Sequence, residues 1–262
     1  RRHGDHTAQP DCSEPTSHKI KSMTAKPLHA LLRFCRLRLG LKPIIDYAQS
    51  RRRLNGVAEL PIGTVFDIGA HVGKMARRYR KLFPAANIYC FEPLPHCYQR
   101  LDRWAARQGN HVQTFNIALG DASRPIEFFW NQDHPGGSGL RAPGTSCRPE
   151  KHTSFTTRME KLDDVAASLN LNGEILLKLD VEGAELEVLA GAPKLLGQAA
   201  AIIVEAAIGE ERARPHFHDL LQALESHGFL YRGNLGSAYV DGIPKLVDAV
   251  FIKPPAQRRA AA

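Results

Sequence analysis

From residue 62 onward, short runs rich in β-branched and aromatic residues alternate with stretches of helical periodicity. This alternation limits the fold more than any other feature. Thr64–Ile68 (TVFDI), Asn87–Phe91 (NIYCF), Glu174–Asp180 (EILLKLD) and Ala200–Ala206 (AAIIVEA) are almost continuously apolar, which predicts strands buried on both faces. His111–Ile117 and Val247–Lys253 read as further strands, and Ile126–Trp130 as an extra one. Helices are expected over Lys74–Phe83, Pro95–Arg107 and Ala184–Leu189, and near Pro215–His227. Strands alternating with helices predict an α/β fold: a mostly parallel sheet with helices on both faces.

The chain has 262 residues, enough to bury a core without disulfides or metals. Its five cysteines (Cys12, Cys35, Cys90, Cys97 and Cys147) are odd in number and form no CxxC pair. This argues against a disulfide framework and a cysteine zinc cluster, and favours a reducing, cytoplasmic setting. No run of about 18 apolar residues marks a membrane span.

The net charge of +8 is concentrated at one end: residues 1–60 carry 12 Lys and Arg against 5 Asp and Glu, or +7. The rest is close to neutral, so the charge does not predict a nucleic-acid-binding face on the folded body. Residues 1–26 lack apolar periodicity and are expected to be disordered, with Met23 as a candidate start. Residues 27–60 read as a basic helical extension, 61–254 as the α/β domain and 255–262 as a tail. Leu28, Leu31, Leu32, Cys35 and Leu39 follow helical spacing among arginines. Packing on the main domain is preferred there over lying on an anionic membrane surface, because Phe34, Leu37 and Leu41 fall off the stripe. The Gly- and Pro-rich insertion Asn131–Pro149 reads either as a binding segment or as a surface loop.

The most informative motif is VFDIGAHVG, Val65–Gly73. It joins an apolar strand to a helix through a glycine turn, at the strand edge where open α/β sheets bind ligands. Its spacing is D-x-G-x-x-x-G, which fits neither the dinucleotide fingerprint nor a P-loop. Asp67, Gly69 and Gly73 instead suit a ligand with a cationic amino-acid part and no phosphate. S-adenosyl-L-methionine is such a ligand. Glu92, 19 residues after Gly73, is placed to accept from both ribose hydroxyls. Asp121, in the turn after the third strand, is placed to accept from the adenine amine, with Asn116 and Ala118 lining the same turn.

At the end of the fourth strand, Asp180 and Glu182 are candidate catalytic groups that orient or deprotonate an acceptor hydroxyl. Helix capping is the rival role for Glu182. Glu185 and Glu187 read as a solvated helix face. Asp180, Glu182 and Glu205 have the oxygen chemistry of a hard-cation site. The preferred reading is hydrogen-bonding carboxylates with no metal. His71 reads as a turn contact, His134 as a solvated loop residue, and His216 and His218 as a helix start. No histidine pair has zinc spacing, and no G-x-S-x-G elbow is present.

VFDIGAHVG, FEP at Phe91–Pro93, NIALGD at Asn116–Asp121 and LKLDVEGAELEVLAG at Leu177–Gly191 together resemble the FkbM family of S-adenosylmethionine-dependent methyltransferases. The resemblance spans roughly residues 60–253. It implies a Rossmann-like class I methyltransferase fold and O-methylation of a sugar or other hydroxylated small metabolite. By position it implies cofactor contacts at Asp67, Gly69, Gly73, Glu92 and Asp121, with Asp180 and Glu182 near a small-molecule or glycan acceptor. On the residues alone two other readings stay open: an NAD-dependent oxidoreductase on the same sheet, and a non-catalytic cofactor-binding module.

Overall fold

The computed structural model describes residues 54–131, 139, 152–209 and 214–259. The expected disordered segment, the basic helix over 28–45, His134 and most of the Asn131–Pro149 insertion lie outside the described residues.

Among the described residues, ten strands and seven α-helices follow in chain order. They are β1 (Ile62–Ile68), α1 (Lys74–Leu82), β2 (Asn87–Phe91), α2 (Pro95–Ala105), β3 (Val112–Phe115), β4 (Ala118–Leu119) and β5 (Arg124–Asn131). After these come β6 (His152–Glu160), α3 (Leu162–Ala166), β7 (Glu174–Leu179), α4 (Glu185–Ala190), α5 (Pro193–Gln198) and β8 (Ala199–Ala207). The last four are α6 (Phe217–Ser226), β9 (Leu230–Val240), β10 (Ile243–Ile252) and α7 (Pro255–Arg259). The main sheet has seven strands in the order β3-β2-β1-β7-β8-β10-β9. The first five are mutually parallel, and β10 runs antiparallel to both neighbours. A small sheet, β4-β6-β5, stands beside it.

The predicted α/β class is the observed one. The apolar runs became the central strands because they are covered on both faces. Alternate residues of each strand feed opposite layers. On β1, Phe66 and Ile68 join one core with Phe91, Leu177, Leu179 and Val204. Val65 joins the other, with Ala76, Tyr79, Ile88 and Leu176. Helix α2 starts on Pro95, whose missing amide costs nothing there, and buries Cys97, Leu101 and Ala105 at four-residue spacing. His216 caps α6, its Nδ1 accepting from the His218 amide at 3.2 Å, in agreement with the helix start read there. Leu54 and Val57, before the expected domain start, are already packed in the core.

Several elements were not anticipated. Strand β6 (HTSFTTRME) carries only Phe155 and Met159 as apolar residues and is specified by pairing with β5, from Arg124↔Met159 to Asn131↔His152. Strand β9 is an exposed edge interrupted by Gly233 and Gly236, so it lacks alternation. The short α3 and α5 fall below the length at which periodicity is readable.

Chain order reverses across β1 and β7: β2 lies to one side of β1 and β7 to the other. Such a switch opens a crevice at the carboxyl ends of the two strands. Among the described residues, no helix is long and apolar enough to cross a membrane.

Candidate active site

A cleft occupies that crevice. Its wall combines Gly69 and His71 from the β1–α1 turn, Glu92, Pro93 and Leu94 after β2, and Ile117, Ala118 and Leu119 around β4. Asp180, Val181, Glu182 and Ala184 after β7 complete it, with Phe128 from the small sheet. One end is thus apolar (Leu94, Ile117, Leu119, Phe128) and the other acidic.

Backbone geometry explains the glycine turn. Gly69 has φ +78°, and a Cβ there would lie 1.9 Å from the Asp180 carbonyl oxygen. Only glycine lets β1 and the β7 turn approach this closely. The amides of Gly69 and Ala70 both donate to the Phe91 carbonyl at 3.0 Å, which ties the turn to β2. Glu92 extends the tie. Its Oε2 accepts from the His71 amide at 2.7 Å and its Oε1 from the Leu94 amide at 2.9 Å. Burial pushes the Glu92 carboxyl up to about 7 against these two donors. Each oxygen keeps lone-pair capacity for a further donor from the cleft. The Asn116 amide donates to the Glu92 and Pro93 carbonyls at 2.8 and 3.0 Å, fixing the rim rather than facing the cleft.

Three other sequence-predicted residues lie off the wall. Asp67 points away from the cleft into the core under α1 and is 0% exposed. Among the described residues neither of its oxygens has a hydrogen-bond partner, and the Ala76 amide faces it without closing one. Gly73 is the left-handed cap of α1, where a Cβ would come within 2.7 Å of Leu101, so it serves helix packing. Asp121 is exposed and paired with Arg124 at 3.1 Å. The chain turns away at Gly120, whose amide donates to the Glu160 carbonyl, so Ile117–Leu119 meet the cleft instead.

A charge network runs from buried Asp67 and Lys178 to Asp180 on the cleft wall. Lys178, opposite Asp67 in the β1–β7 register, donates to Asp180 Oδ2 at 2.7 Å. Burial raises the Asp67 carboxyl to about 6, which Lys178 opposes and Asp180 reinforces. Burial would also raise Asp180, but Lys178 and then Arg214 outweigh it and hold Asp180 below its ordinary value. Burial would lower Lys178, but Asp180 and Asp67 outweigh it and hold the ammonium charged.

A pH prediction follows from Asp67. Its folded-state pKa is raised above the unfolded one, so its protonated form favours folding. Stability is fully present below the unfolded pKa and falls as pH rises from about 4 to about 6, by roughly 2–3 kcal/mol. Asp67→Asn should flatten this fall, measured by urea denaturation at pH 4.5 and 7.5. An unchanged slope would contradict it.

The turn after β7 is strained. Glu182 has φ +58°, a left-handed conformation costing a non-glycine residue about 1–2 kcal/mol. Glu185 holds this turn. It is 0% exposed, and its carboxylate accepts from the amides of Val181 (3.1 Å) and Gly183 (3.1 and 3.3 Å). This corrects the expectation of a solvated Glu185: an acid in the first turn of a helix can reach back to unpaired amides.

Glu182 also meets Arg214, a residue outside every sequence motif. The Arg214 guanidinium pairs with Glu182 and Glu205 and lies 4.0 Å from Asp180 Oδ1. Burial raises the Glu182 carboxyl to about 7, with Arg214 opposing. Arg214 sits outside regular structure, 9 residues beyond Glu205, so no local pattern marks it. Gly139, from the insertion, bridges Phe129 and comes close to the Glu182 carbonyl; a Cβ there would be 3.2 Å from that oxygen.

The structure therefore gathers Gly69, Glu92, Asp180 and Glu182 on one wall, and leaves Asp67, Gly73, Asn116 and Asp121 as supports or outside it.

Comparison with known proteins agrees with this architecture. The chain is 26% identical over 176 residues to the 2-O-methyltransferase NoeI of Sinorhizobium fredii, covering 63% of this chain and 72% of that protein. It is 26% identical over 205 residues to the 31-O-demethyl-FK506 methyltransferase FkbM of Streptomyces tacrolimicus, covering 67% and 75%. The solved structure of a methyltransferase FkbM from Methylobacillus flagellatus shares the fold, with a TM-score of 0.50 and 15% identity. That match covers 73% of this chain and 44% of the other, so the protein spans under half the length of that solved relative. The family model described as "Methyltransferase FkbM domain" matches residues 67–231. The chain belongs to the FkbM methyltransferase family.

Proposed function

We propose that this protein transfers a methyl group from S-adenosyl-L-methionine to a hydroxyl of a sugar or other small metabolite. The observation that carries the reading is the single cleft wall joining Gly69, Glu92, Asp180 and Glu182. The two similar proteins named above are O-methyltransferases by name, which supports oxygen as the acceptor atom.

The residues suit the cofactor at each part. Gly69 lines the cleft and presents bare backbone to a methionyl group, and the negative field of Asp180 and Glu182 favours a cationic one. Glu92 is held by backbone amides with lone pairs left for the ribose hydroxyls. Leu94, Ile117, Leu119 and Phe128 provide an apolar slot for a purine. When bound, the sulfonium supplies an electrophilic methyl group, so the protein's task is mainly positioning. Glu182, with its carboxyl raised to about 7, is the base that takes the acceptor's hydroxyl proton. Asp180 stays ionised through its Lys178 partner and orients the acceptor. Lys178 acts from behind the wall by fixing the charge and direction of Asp180, and Asp67 helps keep Lys178 charged. The free, buried Cys90 and Cys97 suit a reducing cytoplasm.

The test is incubation with methyl-labelled S-adenosyl-L-methionine and fractionated glycans and small metabolites, followed by mass spectrometry. A labelled methyl ether is expected. Binding of S-adenosylhomocysteine with no label transferred to any fraction would favour a non-catalytic cofactor-binding module.

A further inference from the structure

We propose that Arg214 is the built-in counter-cation of the acceptor-side carboxylates, standing where a hard divalent cation would otherwise be needed to hold Asp180, Glu182 and Glu205 together. The three carboxylates come from two places, Asp180 and Glu182 from the turn after β7 and Glu205 from β8. One oxygen from each lies within 4.8 Å of the others. Carboxylates this close repel, and a partly buried group of them needs a proton, a cationic side chain or a metal ion to neutralise it.

Arg214 supplies that charge. It pairs with Glu182 and Glu205, stands 4.0 Å from Asp180, and is itself only 13% exposed. Lys178 adds a second positive charge on Asp180. The planar, permanently charged guanidinium carries five donors, which suits bridging several carboxylates at once. Its backbone is anchored: the Ala207 amide donates to the Pro215 carbonyl at 3.0 Å, and Ala207 bridges His216. The guanidinium therefore comes from the end of the β8–α6 connection, just before α6, and meets the acidic group from there. Arg214 is a positioning residue: it acts through the directions of Glu182 and Asp180.

Mn²⁺ binding followed by electron paramagnetic resonance on the full chain tests this. Wild type should leave Mn²⁺ free through the micromolar range. Arg214→Ala should bind one Mn²⁺ per chain, since the uncovered trio has hard oxygen ligands, and adding Glu205→Gln should abolish that binding. Arg214→Gln, closer in volume, carries the same expectation if the alanine variant folds poorly, with S-adenosylhomocysteine affinity as the folding control. In kinetics, Arg214→Ala should lower kcat roughly 100-fold with little change in cofactor KM, and Arg214→Lys should recover part of it. A wild-type chain that binds one Mn²⁺ through Glu205 would overturn the proposal. So would an Arg214 variant that binds S-adenosylhomocysteine normally and takes up no Mn²⁺. The kinetic arm and the S-adenosylhomocysteine control rest on the proposed function, whereas the Mn²⁺ result stands even if no acceptor is methylated.

Discussion

Replacing Glu182 with glutamine should lower kcat by roughly 100- to 10,000-fold, the range for a lost general base. Glutamine keeps the volume and can still hydrogen-bond Arg214, but it cannot take a proton. The wild-type pH profile should show the same group. A base acts when deprotonated, so kcat at saturating cofactor should rise with pH through about 7, where burial puts the Glu182 carboxyl. The midpoint belongs to the coupled Glu182–Arg214–Asp180 group rather than to one residue. Glu92 is also raised to about 7, but it is proposed to bind the cofactor, so its titration should appear in the cofactor KM. A Glu182→Gln enzyme with wild-type kcat and the same pH profile would remove Glu182 from the chemistry.

The second large effect is expected at Gly69. Alanine there must take up a left-handed conformation and place its Cβ 1.9 Å from the Asp180 carbonyl oxygen. The conformation alone costs about 1–2 kcal/mol, and the contact cannot be relieved by a rotamer because its partner is backbone. The β1 turn and the β7 turn must separate, carrying Asp180 and the Phe91-bonded amides with them. Cofactor affinity should fall by roughly 100-fold or more, the scale of a misplaced binding group. Folding should survive, because the strands below the turn keep both of their cores. Calorimetric titration with S-adenosylhomocysteine, alongside circular dichroism, reads both. Wild-type affinity in Gly69→Ala would contradict the close approach.

The central strands, the helices on them and the class of the sheet were legible in the sequence because apolar runs and helical stripes are local signals. The wall residues Gly69, Glu92, Asp180 and Glu182 were legible for a related reason: ligands of open sheets gather at strand ends, and those ends can be counted. What the sequence did not reveal depends on side-chain direction or on distant pairing. Asp67 occupies a strand end but lies on the alternate that faces α1, and a one-residue difference on a strand exchanges core for cleft. Asp121 left the cleft because Gly120 turns the chain toward the small sheet, whose strand β6 carries no pattern of its own. Glu185 looked solvated in a helical stripe, yet the strained turn before it needed an acceptor. Arg214 reached the site through a long-range ion pair that no spacing encodes.

The central claim is that Glu92 and Gly69 form the grip of a sulfonium nucleoside. Titrating wild type and Glu92→Ala with S-adenosylhomocysteine and with NAD, at one pH and salt concentration, tests it most directly. The account predicts saturable binding of S-adenosylhomocysteine by wild type, little or no binding of NAD, and a loss of roughly 1–3 kcal/mol in Glu92→Ala, as for a charged hydrogen-bond partner removed from a buried site. Preferential binding of NAD, or equal S-adenosylhomocysteine affinity in the two proteins, would contradict it.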